Sequence, residues 1–210
     1  MNASSHPREV LEILPGLMRW TAPHPAWSPP AEPASSEDWG EMVGSVLYEQ
    51  PDVVTIIDPL LPSLGREGFL RWLDGRVAGR PVSILTTIHW HRRDREQLAK
   101  RYSANTTKAW NAIPAGVKPR PLRGAGETLF WLPAVSTLVA GDRLIVVAGV
   151  GLRLCPQSWL EDVHVNRPGL AEVLGPLLEL PIERVLVSHG EPVLHDGRAA
   201  LAHAIAEARS

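Results

Sequence analysis

Val82-Ser83-Ile84-Leu85-Thr86-Thr87-Ile88-His89-Trp90-His91-Arg92-Arg93-Asp94 is the stretch on which the reading of this chain turns. From Val82 to Ile88 every residue but Ser83 is apolar or β-branched, the pattern of a strand buried on both faces. Two histidines one residue apart follow at once. The charged run from Arg92 to Tyr102 then reads as a helix turning Leu98 and Tyr102 inward. A strand, a short loop and a helix place the histidines at a strand end, where a rigid sheet holds side chains in fixed positions. A His-x-His pair there can offer two imidazoles to one cation.

Upstream, Val43 to Glu49 and Val53 to Ile57 read as a hairpin around Gln50-Pro51-Asp52, and the second strand runs into Asp58-Pro59. Arg66 to Ala78 carries Phe69, Leu70, Leu73 and Val77 at helical spacing and stops at Gly79. Val10 to Trp20 is broken by Pro15-Gly16 into two short strands. Five prolines between Thr21 and Gly40 make residues 21–40 a long loop, expected to act as a lid. Downstream, Thr128 to Val147 holds three short apolar runs punctuated by Pro133 and Gly141-Asp142, as in an antiparallel meander, and Gly149 to Gly151 reads as a flexible turn. A helix over Leu170 to Glu179, kinked by Pro176, precedes a short strand, Val185 to Val187, that leads into Ser188-His189-Gly190. Arg198 to Ala208 closes the chain as an alanine-rich helix. Strands and helices intermixed in this way predict one α/β (α+β) domain over residues 1–210.

Composition narrows the function. With 44% hydrophobic residues, 210 residues can bury a sizeable core. Lys plus Arg (21) nearly balances Asp plus Glu (23), so no basic field exists to hold a phosphate backbone, and nucleic acid is not an expected partner. No apolar stretch approaches the roughly 20 residues a membrane span needs. No secretion signal opens the chain, and the single cysteine, Cys155, cannot form an internal disulfide. A cytoplasmic protein acting on or binding a small molecule is the expectation.

Three strand ends carry chemistry in order along the chain: His89-Trp90-His91, then Gly141-Asp142, then His189-Gly190. That order, with the earlier Ile56-Ile57-Asp58-Pro59 turn, resembles the metallo-β-lactamase superfamily, whose mark is a strand running into H-x-H-x-D-H, a later His, a Gly-Asp and a final His-Gly. The resemblance spans most of the chain. It implies a four-layer αββα sandwich with a site at one edge between two sheets, and metal-activated water attacking esters, thioesters, amides or phosphodiesters.

This chain departs from the pattern at three ligand positions. Arg93 and Asp94 stand where the family has aspartate and histidine, and Pro133-Ala134-Val135-Ser136 lacks the intervening histidine. The resemblance therefore implies a degraded metal site with weak or no hydrolase activity of the usual kind. Its alternative is a mononuclear hydrolase of a small ester or thioester, with one zinc-type divalent metal on His89, His91, Asp142, His189 and Asp94. In the first reading no metal is needed, and the always-protonated Arg93 supplies the positive charge by pairing with Asp142 or Asp94, while Asp58 receives a histidine. A binding module using the same cleft without turnover is the remaining class. His24, Trp27 and Trp90 are the candidates for its walls, with Trp39 and Trp131 as further large aromatics.

Overall fold

Strand residues alternate between two faces, and in this chain both faces are apolar, which forces covering layers on each side. The computed structural model describes residues 9–29, 39–106 and 113–209. Its first sheet has the order β1 (Val10–Leu14), β2 (Leu17–Pro23), β3 (Met42–Glu49), β4 (Val54–Ile57), β5 (Val82–Leu85). These pairings are antiparallel except the last, where α1 (Arg66–Val77) carries the chain across to set β5 parallel to β4. The second sheet has the order β11 (Arg184–Leu186), β8 (Thr137–Val139), β7 (Glu127–Leu132), β6 (Lys118–Leu122), with β11 parallel to β8. A separate hairpin, β9 (Leu144–Val147) with β10 (Gly151–Leu154), lies between them in sequence.

The core divides accordingly. Ile56 and Ile84 face Phe69 and Leu73 of α1 and Leu98 of α2 (Arg95–Tyr102), whereas their neighbours Ile57 and Leu85 face Phe130, Leu132, Val139 and Leu186 of the second sheet. On the far side Leu129, Trp131, Leu138 and Val185 pack against Leu170 and Leu174 of α3 (Arg167–Leu174) and Leu201 and Ile205 of α4 (Gly197–Arg209). This is the expected αββα sandwich. Cys155 and Trp131 are buried in the last of these clusters.

Several local boundaries differ from the sequence reading, each for a visible reason. The strand expected to reach Ile88 ends at Leu85, because the Thr87 N–H donates to the Asp58 carboxylate. The helix expected from Arg92 begins at Arg95, since Arg93 takes the left-handed region at φ 40°. The helix expected to Glu179 stops at Leu174, and a 3-10 turn containing Pro176 completes it. Residues 118–122, not expected as a strand, form one in spite of Pro119 and Pro121, because at the sheet edge a missing N–H costs no ladder bond. Gly149 lies in the turn of the β9–β10 hairpin, but Gly151 already belongs to β10. Of the expected lid, residues 30–38 lie outside the described residues. Among the described residues no helix is long and apolar enough to cross a membrane.

Candidate metal centre

Parallel pairing puts the carboxyl ends of β4 and β5 side by side, and likewise those of β8 and β11. Asp58 follows β4, His91 follows β5, Asp142 follows β8 and His189 follows β11. The two strand pairs thus deliver their end residues to one edge of the sandwich. Two glycines make the approach close. A Cβ at Gly141 would lie 2.4 Å from Thr87 Oγ1. Gly190, at φ +90°, passes so near β9 that a Cβ would lie 2.0 Å from the Val146 carbonyl oxygen.

His91 is buried between two carboxylates: its Nδ1 lies 2.9 Å from Asp58 Oδ2 and its Nε2 lies 3.0 Å from Asp142 Oδ1. His189 Nε2 reaches the same Asp142 oxygen at 3.2 Å. Asp58 is itself held by the N–H of Thr87 at 2.8 Å and by the Thr87 hydroxyl at 2.5 Å. The other oxygen of Asp142 accepts the Trp90 indole N–H at 2.6 Å. Glu127 fixes the Asp142 backbone by accepting the N–H groups of Gly141, Asp142 and Arg143 at 2.8 to 2.9 Å.

Tryptophans wall the cleft. Trp39 and Trp159 each meet the His189 ring edge-on with centroids 5.3 Å apart, and His24 meets Trp39 in the same way at 5.1 Å. With Trp90, His91, Arg93 and Asp142 they enclose about 200 Å³. The wholly buried Arg143 supports two of these walls, donating to the Trp159 carbonyl at 2.7 Å and stacking its guanidinium on Trp90 at 5.7 Å.

Charge and burial set the protonation. Burial by itself lowers the His91 pKa, yet the flanking Asp58 and Asp142 carboxylates lift it to about 9. Asp142 is buried too, which opposes ionisation, but the two imidazoles hold it well below the usual carboxylate range. Burial, and then the neighbouring Arg93, His91 and His189, lower the His24 pKa. Burial, aided by Asp142, pushes the Glu127 carboxyl up to about 7 against the backbone N–H groups it accepts.

Asp142 Oδ1 is buried and, despite its two near nitrogens, receives no correctly directed hydrogen bond. Ligand atoms about 2 Å from a tetrahedral cation stand roughly 3.3 Å apart. The 3.0 and 3.2 Å separations, with all three atoms within 4.8 Å of one another, are compatible with three ligands of one ion. The residues present fit a single cation.

Of the residues singled out from sequence, His91, Asp142 and His189 converge, with Asp58 behind His91 and with Arg93, Trp90 and His24 around them. His89 does not join them. The His91 N–H bonds the Ile88 carbonyl at 3.0 Å, so His89 sits on the outside of a tight turn, exposed, with its ring on Trp90. Asp94 is also elsewhere: it accepts the Leu61 N–H and Arg66 guanidinium, both at 2.7 Å. Trp27 lies behind the cleft, donating to the Trp39 carbonyl at 2.9 Å. Arg93 makes no ion pair with Asp142 or Asp94. It donates instead to the carbonyl oxygens of Gly44 and Asp58, both at 3.0 Å, and to Ser188 Oγ at 3.4 Å. Sequence reading missed Glu127, Arg143 and Trp159 as site residues: Glu127 and Trp159 lie in no motif, and Arg143, though it follows Gly141-Asp142 directly, acts through contacts to Trp90 and Trp159 that only the fold brings about.

No protein-family model and no curated protein sequence matches the chain. Solved structures do. A metallo-beta-lactamase from Erythrobacter litoralis superposes with a TM-score of 0.63 at 15% identity, over 96% of this chain and 92% of that one. The metallo-beta-lactamase from Pontibacter korlensis gives a TM-score of 0.58 at 15% identity over 96% and 99%. A metallo-beta-lactamase family protein from Thermus thermophilus gives 0.51 at 16% identity over 93% and 80%. Similarity of this extent across nearly the whole chain establishes that this protein has the metallo-β-lactamase fold.

Proposed function

We propose that this protein is a mononuclear variant of its fold, in which His91, Asp142 and His189 hold one zinc-type divalent cation and the second metal position of the family has been given up. The observation that carries the reading is Asp142 Oδ1, buried without a directed hydrogen bond between the Nε2 atoms of His91 and His189. Such an ion supplies a Lewis acid and a water of lowered pKa for hydrolysis of a small ester, thioester or related substrate. The chain's own residues do the rest. Asp58, on Nδ1 of His91, turns Nε2 of that ring toward the cluster. Trp90 engages the second oxygen of Asp142, which then has one oxygen left to offer rather than two for a pair of ions. Arg93, always protonated, places a fixed positive charge beside the cluster. His24 accepts the Ala26 N–H on Nδ1, so its neutral ring carries the proton on Nε2 as a donor to whatever the cleft holds. Trp39, Trp90 and Trp159 offer an apolar wall to the substrate.

A separate observation favours a metal-free reading. Protonated His91 and Arg93 together balance Asp58 and Asp142, a neutral cluster that needs no ion and fits a binding module. Zinc titrated calorimetrically into chelator-treated protein separates the two. One equivalent, lost in Asp142→Asn and in His189→Ala, is expected. No binding would leave the neutral cluster as the reading, and two tight equivalents would overturn both.

A further inference from the structure

The histidine that the cluster leaves out opens onto a different cavity. His89, Arg92 and Arg95 stand around a cavity of about 360 Å³ whose apolar surface includes Ile84, Ile113 and Phe130. None of His91, Asp142 and His189 lines it, and neither does any carboxylate among the described residues. Of the two guanidiniums, Arg92 is exposed and has no hydrogen-bond or ion-pair partner among the described residues. Arg95 donates to the Thr106 carbonyl at 2.5 Å, while its Nε is buried without a partner, as is the Thr86 hydroxyl that also lines the cavity.

We infer that this cavity is a second small-molecule site, for a monoanionic carboxylate carrying a compact apolar body such as an aryl or branched alkyl group. The volume falls within the range of ligand cavities, roughly 300 to 1,000 Å³. Guanidinium forks match a carboxylate, and no acidic side chain among the described lining residues competes with an anion for them. The apolar surface decides the rest of the ligand. Phosphate or sulfate would satisfy the arginines but leave the half-buried Ile113 facing a hydrated ion, whereas an aryl or alkyl body covers it and packs on the already buried Ile84 and Phe130. Because the three residues of the metal cluster take no part, the site works whether or not that cluster holds an ion.

Phenylacetate titrated into chelator-treated full-length protein, followed by ligand-observed NMR, tests this. The expected result is saturable binding, at least about tenfold weaker for the uncharged phenylacetamide and at least about tenfold weaker in Arg92→Gln/Arg95→Gln, as loss of charge-assisted hydrogen bonds predicts. Arg92→Gln alone, which removes no hydrogen bond or ion pair among the described residues, is expected to weaken binding in the same direction and keeps the test valid if the double variant unfolds. His189→Ala is expected to bind phenylacetate as the parent does. Equal binding of acid and amide, unchanged binding in Arg92→Gln, loss of binding in His189→Ala, or no saturation up to about 10 mM would each overturn the proposal. No metal and no turnover enter the measurement, so its outcome is independent of the hydrolase reading.

Discussion

The indole N–H of Trp90 donates to Asp142 Oδ2 at 2.6 Å, from a side chain that is 46% exposed to a carboxylate that is buried. Half of the carboxylate is thereby engaged by the fold and half is left to the two imidazoles. Trp90→Phe keeps an aromatic ring and removes the donor. We expect it to lower the unfolding free energy of the zinc-free protein by about 2 kcal/mol, as loss of a hydrogen bond to a charged group does, measured by urea denaturation. Zinc stoichiometry should stay at one, since Arg93 still stands beside the cluster.

Asp58 touches the candidate cluster through His91, and would act on a bound ion by that route. In Asp58→Asn the amide no longer supplies the charge that orients the ring, and zinc affinity should fall by about 10- to 100-fold while one equivalent is retained. Titration calorimetry reads this directly. An unchanged affinity would show that His91 is oriented by Thr87, whose hydroxyl lies 3.3 Å from its Nδ1, and not by Asp58.

Arg93 joins the end of β4 to Gly44 in β3 and to Ser188 ahead of His189. Arg93→Met removes those bonds and leaves Asp58 and Asp142 with one positive neighbour fewer. A loss on the order of 3 kcal/mol is expected, as for breaking a buried charged network, seen as a lower Tm. A neutral effect would show that neither the charge nor the carbonyl contacts of Arg93 stabilise the fold.

The zinc-free protein should become less stable as the solution turns basic. The folded His91 pKa of about 9 lies above its ordinary 6.5, so the stabilisation is complete below about 6.5 and disappears as pH rises through 9. At about 1.4 kcal/mol per unit this amounts to about 3 kcal/mol. Asp142, held low, contributes stability above its ordinary 3.8 that is lost as pH falls further. Thermal melts of zinc-free protein should therefore peak between about pH 4 and 6.5. Zinc affinity should move the other way and strengthen from pH 6.5 to 9, because the His91 proton must leave for Nε2 to ligate.

The strands and helices were legible in the chain wherever apolar spacing was regular, as from Phe69 to Val77 and from Val82 to Leu85, because burial of those side chains is what pays for the backbone order. The motif residues His91, Gly141-Asp142 and His189-Gly190 were legible too, because each follows directly on an apolar run and strand ends must be brought together by parallel pairing. What only the tertiary structure decided is which atoms meet. His89 and His91 stand two positions apart in one turn, closed by the His91 N–H on the Ile88 carbonyl, in which one ring faces outward and the other lies between two carboxylates. Asp94 was taken by Arg66 and Leu61, Arg93 by carbonyl oxygens, Glu127 and Trp159 entered the site from segments that carry no motif, and Arg143, next to Asp142, turned away to brace Trp159. Local sequence sets the period of burial, but the partners of these side chains, far off along the chain, are chosen by how the two sheets pack, and that is a property of the whole fold.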